Sequence, residues 1–145
     1  MASPGYQLVK NDGSTIPKGA ASLGHQISGD LNVAVANTDH GQICGKAWYN
    51  VCYYPWHHYE YITADFSFLC FDDGVQPTLV KNSGVVPEYI LPLGNQKDSE
   101  VHYPCIAETP DGRIPGKTQG QICWYPYEGY EITTHLFDWI TLPPK

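Results

Sequence analysis

The stretch VCYYPWHHYEYITADF (51–66) returns, altered but in register, as ICWYPYEGYEITTHLF (122–137), 71 residues further on. Each opens with a block of matched chemical type, Val51 to Trp56 and Ile122 to Tyr127, built on an aromatic residue, Tyr, Pro and a second aromatic residue. Each then carries Tyr-Glu (Tyr59-Glu60, Tyr130-Glu131), with Thr63 and Phe66 answered by Thr134 and Phe137. Self-similarity at a fixed period identifies one supersecondary unit used more than once, so it sets the fold that has to be sought. Working outward, Leu8, Val9, Lys10 and Asn11 recur as Leu79, Val80, Lys81 and Asn82. Pro17, Leu23, Gly24 and Gln26 recur as Pro87, Leu93, Gly94 and Gln96, and Gly41, Ile43, Gly45 and Lys46 as Gly112, Ile114, Gly116 and Lys117. Two copies, residues 6–75 and 76–145, fill nearly the whole chain.

Within a copy the apolar period is two, as in Leu31, Val33, Val35 and in Phe66, Phe68, Cys70, which is the pattern of half-buried strands. Turn formers such as Lys10-Asn11-Asp12-Gly13, Ser28-Gly29-Asp30 and Pro110-Asp111-Gly112 separate the runs. With 14 Gly and 12 Pro spread along the chain, long helices are excluded. The predicted fold class is all-β: two tandem, pseudo-symmetric antiparallel β repeats. A β unit of about 70 residues with few aliphatic side chains is marginal alone, so the copies are expected to share one core about a pseudo-twofold axis, with or without exchange of strands. The Pro in each aromatic block removes a ladder donor and suits an edge or a strand end.

A chain of 145 residues has room for one ordinary domain. Its 15 acidic and 8 basic residues leave a net charge of −7, which removes the positive footprint of a nucleic-acid binder. The opening MASPGYQLVK lacks the charged and apolar regions of a signal peptide, and no apolar run is long enough for a membrane span. The expected setting is therefore cytoplasmic, or outside the cell by a non-classical route. Five cysteines without a CxxC spacing read as mostly reduced and buried. Cys52 and Cys123 are repeat equivalents expected to be inert, while Cys44, Cys70 and Cys105 have no counterpart and cannot form a symmetric disulfide set.

No catalytic or cofactor fingerprint is present, which points away from an enzyme and from a bound cofactor. His57, His58 and Glu60 do not make a metal site on this reading, because on a strand His57 and Glu60 face opposite ways; exposed histidines on a turn are expected instead. The polar residues that both copies keep carry more information: Lys10/Lys81, Gln26/Gln96, Lys46/Lys117 and Glu60/Glu131. Each Gly-Lys dipeptide is expected to present its Lys from a turn or strand end. Taken singly, such a Lys only solvates a loop and such a Glu makes an ordinary surface ion pair. Taken together beside Tyr and Trp, they form the inventory that a neutral sugar requires. Its hydroxyls accept from an ammonium and donate to a carboxylate, and the apolar face of a pyranose packs on a ring. The candidate sugar-binding residues are Gln26, Lys46, Tyr59 and Glu60 in the first copy and Gln96, Lys117, Tyr130 and Glu131 in the second. Trp48, Tyr54 and Trp56 are assigned to the first site, and Tyr125 and Tyr127 to the second.

The linked pattern resembles the DM-nine repeat family: TIPKGAASLGHQ, GQICGK and YYPWHHYE in the first copy, VVPEYILPLGNQ, GRIPGK and WYPYEGYE in the second. The resemblance implies a two-repeat, pseudo-twofold, dimeric lectin that binds mannose-type glycans, often in innate recognition of microbes. Related repeats also serve as targeting heads on pore-forming toxins. By position it implies sugar-binding roles for Lys46, Lys117, Glu60 and Glu131. Two departures bear on the sugar. Gln26 and Gln96 stand where the family has an acidic residue, and Tyr59, Tyr61, Tyr130 and Ile132 replace the Lys and His that flank its Glu. The expected partners are saccharides and glycan-coated surfaces. Two other readings compete: a protein-interaction module with a Tyr-rich surface, and a glycosidase using Glu60 and Glu131 as its carboxylate pair.

Overall fold

The computed structural model describes residues 4–96 and 101–142; within the second copy, 97–100 and 143–145 lie outside the described residues. No helix occurs among them, and so none long and apolar enough to cross a membrane. The first copy supplies β1 (Tyr6–Lys10), β2 (Gly24–Gln26), β3 (Gly29–Thr38), β4 (Gly41–Trp48), β5 (Val51–Trp56), β6 (Tyr59–Thr63) and β7 (Phe66–Phe71). The second supplies β8 (Thr78–Lys81), β9 (Gly94–Gln96), β10 (Val101–Thr109), β11 (Gly112–Gln119), β12 (Ile122–Tyr127), β13 (Tyr130–Thr134) and β14 (Phe137–Thr141). The seven strands of one copy thus recur in order in the other, and all pairings are antiparallel.

Six strands close into a barrel through the ring β3, β2, β11, β10, β9, β4 and back to β3. The closure is an exchange. β2 crosses to pair Gln26 with Gly112 of β11, and β9 reciprocates by pairing Gln96 with Gly41 of β4. The long strands divide their edges to allow it: β3 pairs with β2 over 29–31 and with β7 over 34–36. β4 likewise gives residues 41–42 to β9 and 46–48 to β5. β1 and β8 finish the outer edges on β7 and β14. β5–β6 and β12–β13 form two hairpins that meet where Tyr59 pairs with Tyr130, on the pseudo-twofold axis.

One central core draws on both copies, with Val33, Val35, Cys44 and Leu69 packed with Leu93, Ile106 and Ile140. Each copy adds a satellite core of its own: Ala34, Cys52, Phe66 and Phe68 in the first, Cys105, Cys123, Phe137 and Trp139 in the second. The Asn shared by the two copies has a structural role, since Asn11 Nδ2 donates to the carbonyl of Ala64 and Asn82 Nδ2 to that of His135. Lys10 and Lys81 are exposed on the outer strands. Pro55 sits where the β4–β5 ladder, which ends at Lys46–Tyr53, no longer needs its missing N–H.

Two expectations are corrected. The thiols are not all free: Cys105 of β10 and Cys123 of β12 are joined by a disulfide, with Cα atoms 6.6 Å apart, and Cys44, Cys52 and Cys70 are the free ones. The two strands lie on either side of β11, and the first copy has Ala34 at the position of Cys105, so Cys52 has no equivalent partner. The glycines of the Gly-Lys pairs lie inside β4 and β11, not at a turn or strand end. What demands glycine is close approach: a Cβ on Gly45 would collide with the carbonyl oxygen of Tyr53, and one on Gly116 with that of Trp124.

Candidate functional site

Because Gly45 and Gly116 let the next strand fold down onto β4 and β11, the lysine that follows each is drawn inward. Lys46 and Lys117 are both only 4% exposed. Lys46 Nζ donates to Gln26 Oε1 at 2.9 Å and lies 3.7 Å from Glu60 Oε2. Lys117 Nζ repeats this with Gln96 Oε1 at 2.8 Å and Glu131 Oε2 at 3.7 Å. Burial lowers the pKa of each ammonium, and the adjacent carboxylate opposes that shift.

Each carboxylate also reaches across the pseudo-twofold axis. Glu60 Oε1 accepts the N–H of Gly129, and Glu131 Oε1 accepts the N–H of His58. The backbone repeats the exchange, with Glu60 N–H donating to Gly129 O and Glu131 N–H to His58 O. The acceptors belong to two-residue hairpin turns, His57-His58 and Glu128-Gly129, in which both residues have positive φ, as a type I′ turn requires. One Glu therefore binds its own lysine with one oxygen and the other copy's turn with the second.

The aromatic walls are exchanged as well. The ammonium of Lys46 lies 5.6 Å from the ring of Tyr53 and 5.4 Å from that of Tyr127, which belongs to the second copy. Lys117 lies 5.3 Å from the ring of Trp56, which belongs to the first. These are cation–π distances. The Lys46 cage opens into a cavity of about 370 Å³ lined by Gln26, Leu31, Trp48, Tyr53, Glu60 and Tyr127, with Ile27, Ser28 and Glu128 at its rim. The Lys117 cage opens into one of about 310 Å³ lined by Trp56, Gln96, His102, Trp124 and Glu131, with His57, His58 and Gln119.

The structure thus brings together Gln26, Lys46 and Glu60, and separately Gln96, Lys117 and Glu131. It does not bring Tyr59 or Tyr130 into either cavity. Strand alternation turns them the other way, and they face each other on the axis with ring centroids 6.3 Å apart. Trp56 and Tyr127 serve the opposite copy's cage from the one assigned to them, because the β5–β6 and β12–β13 hairpins pack across the axis. Tyr54 and Tyr125 pack with the satellite cores instead. His57 and His58 are exposed and on a turn, yet they also line the Lys117 cavity. Tyr53 and Trp124, equivalent residues in the aromatic blocks, complete the walls; only their shared position in the repeat could have singled them out.

The two cages are related but not identical. Leu31, Trp48 and Glu128 of the first are answered by His102, Gln119 and His57 in the second. The Lys46 rim is acidic and aromatic, and the Lys117 rim carries imidazoles, with His40, Trp56 and His57 stacked at 4.5 and 4.7 Å.

A search of curated proteins finds no match to this sequence. Among solved structures, the fold is similar to the nematode sperm cell motility protein MFP2B, with a TM-score of 0.69 at 15% identity over 97% of this chain. The chain spans 45% of that protein's length. The family model of the DM9 repeat matches residues 33–134, from within β3 to the end of β13, a span that holds Lys46, Glu60, Gln96, Lys117 and Glu131 but not Gln26, and on that match the chain belongs to the DM9 repeat family.

Proposed function

We propose that this chain is a carbohydrate-binding protein that takes one neutral pyranose, of mannose type or a close relative, at each lysine cage, without cleaving it. The observation that carries the reading is the doubled constellation: a buried ammonium held by one amide oxygen and one carboxylate, under an aromatic ring, at the floor of a cavity of about 310 to 370 Å³. An ammonium has three donors. The Gln oxygen takes one, the Glu carboxylate faces the ammonium as an ion pair at 3.7 Å, and a remaining donor serves a ligand hydroxyl. The carboxylate accepts from the neighbouring hydroxyl, and Tyr127 or Trp56 packs on the sugar's apolar face. The amide in place of an acidic acceptor makes the cage less anionic, which favours a neutral sugar over an amino sugar.

The same arrangement argues against turnover. Glu60 and Glu131 have matching partners on both oxygens, whereas a glycosidase divides acid and nucleophile or base between unlike carboxylates. A second reading, a protein-interaction module, is favoured by one feature: Tyr59 and Tyr130 are exposed side by side where the hairpins meet, with Tyr61 exposed on the same face of β6 as Tyr59. Incubation with labelled oligosaccharides separates the readings. Retention without cleavage is expected, at two sites per chain. Lys46→Ala and Lys117→Ala should each remove one site, and the double variant both. Cleavage would replace the reading with an enzyme, and full saccharide binding by the double variant would overturn the site assignment.

A further inference from the structure

A second cavity, of about 430 Å³, adjoins the Lys46 cage and shares Ser28 and Trp48 with it. Trp48 is the wall between the two, and Tyr49 meets it edge to face at 4.9 Å on the outer side. Ser22, Asp30 and Asn32 supply hydroxyl, carboxylate and amide to the same groove. Tyr49 is 62% exposed and has φ +55°. The second copy meets the same backbone demand in the β11–β12 turn with Gly120, at φ +69°. A bulky residue in that region is an outlier, and such outliers gather at ligand sites. The first copy therefore holds a strained, solvent-facing ring where glycine would relieve the backbone, next to Trp48 where the second copy has Gln119.

We propose that this groove is a subsite for the next residue of a glycan whose terminal residue occupies the Lys46 cage. On this proposal the first copy reads an oligosaccharide, and the Lys117 cage reads a single terminal sugar. It rests on the carbohydrate reading given above. The Trp48 indole and Tyr49 phenol take the apolar face of the second sugar, while Asp30 and Asn32 take its hydroxyls. The shared wall lets the chain run from one cavity to the other without leaving protein. Gln119 and Gly120 offer no ring at the equivalent place.

Single-site proteins test this by calorimetry. Lys117→Ala leaves only the Lys46 cage and Lys46→Ala only the Lys117 cage; the probes are methyl α-mannoside and linear α-mannotriose, with matched glucose and galactose pairs in parallel. In Lys117→Ala the trisaccharide should bind about tenfold tighter than its methyl glycoside. Adding Tyr49→Gly, which relieves the backbone and so does not threaten folding, should leave the methyl glycoside unchanged and remove most of that gain. In Lys46→Ala the two affinities should be equal. Equal affinities in Lys117→Ala, a gain that survives Tyr49→Gly, or a similar gain in Lys46→Ala would overturn the subsite and leave the carbohydrate reading standing. Failure of every methyl glycoside to bind either chain would overturn that reading and the subsite with it.

Discussion

Burial shifts the free thiols and the two caged lysines of this protein in opposite directions. The thiol of Cys44 is pushed up to about 12 by burial, and the thiols of Cys52 and Cys70 are raised for the same reason. A group whose folded pKa is raised contributes stability that is present below its unfolded value and lost as pH rises towards the folded one. These thiols, with unfolded values of 9.0, therefore destabilise the fold progressively above about pH 9. The two caged lysines run the other way. Their folded pKa is lowered, so their desolvation cost is relieved as pH rises towards 10.5. Replacing both by Met should steepen the alkaline loss of stability, as read from urea midpoints between about pH 8 and 10.5. A shallower decline would show that the lysines are not desolvated. The cysteines give a second residue-scale expectation. Denatured, unreduced protein should titrate three thiols, rising to five after reduction. Five before reduction would show Cys105 and Cys123 to be free. That pairing was not legible from spacing, because the repeat draws attention to Cys52 and Cys123 as equivalents, while the partner that matters stands opposite an alanine in the other copy.

At the scale of the element, the closeness of successive strands sets the site. β5 crosses over Gly45 and β12 over Gly116 with carbonyl oxygens where a side chain would be. Gly45→Ala and Gly116→Ala should each cost on the order of 1–3 kcal/mol, the usual range for overpacking a well-filled interior, and each should disturb its own cage more than the other. Thermal unfolding checks the first, and site-resolved binding the second; an alanine tolerated at no cost would mean that the strands separate easily. The sequence made Gly45-Lys46 and Gly116-Lys117 visible as a pair but not the reason for the glycine, since a close approach between strands leaves no mark on the local pattern. Alternation along the strands was legible and gave the all-β class. Gln26, Lys46 and Glu60 were legible together because duplication preserved them while their surroundings changed.

At the scale of the whole molecule, the two copies are built into each other. β2 and β9 trade partners to close the barrel, each Glu holds the other copy's turn, and each lysine has a ring from the opposite copy. Sequence reading placed Trp56 with Lys46 and Tyr127 with Lys117 because each pair shares a copy. Pairings across an axis are non-local, and periodicity within a repeat does not encode them. On the carbohydrate reading proposed above, this crossing has a direct consequence. In the Lys117→Ala chain, where only the Lys46 cage remains, Tyr127→Ala should weaken saccharide binding by about three- to tenfold, the loss expected for one aromatic face. Trp56→Ala should leave that chain's affinity unaltered. In the Lys46→Ala chain the roles reverse: Trp56→Ala weakens binding and Tyr127→Ala does not. Circular dichroism of the four double variants guards against a general loss of structure, which would lower both affinities together. If instead each ring proved to serve the lysine of its own copy, the hairpins would have to pack back on their own half of the barrel. The Tyr59–Tyr130 junction between β6 and β13 would then be absent in solution.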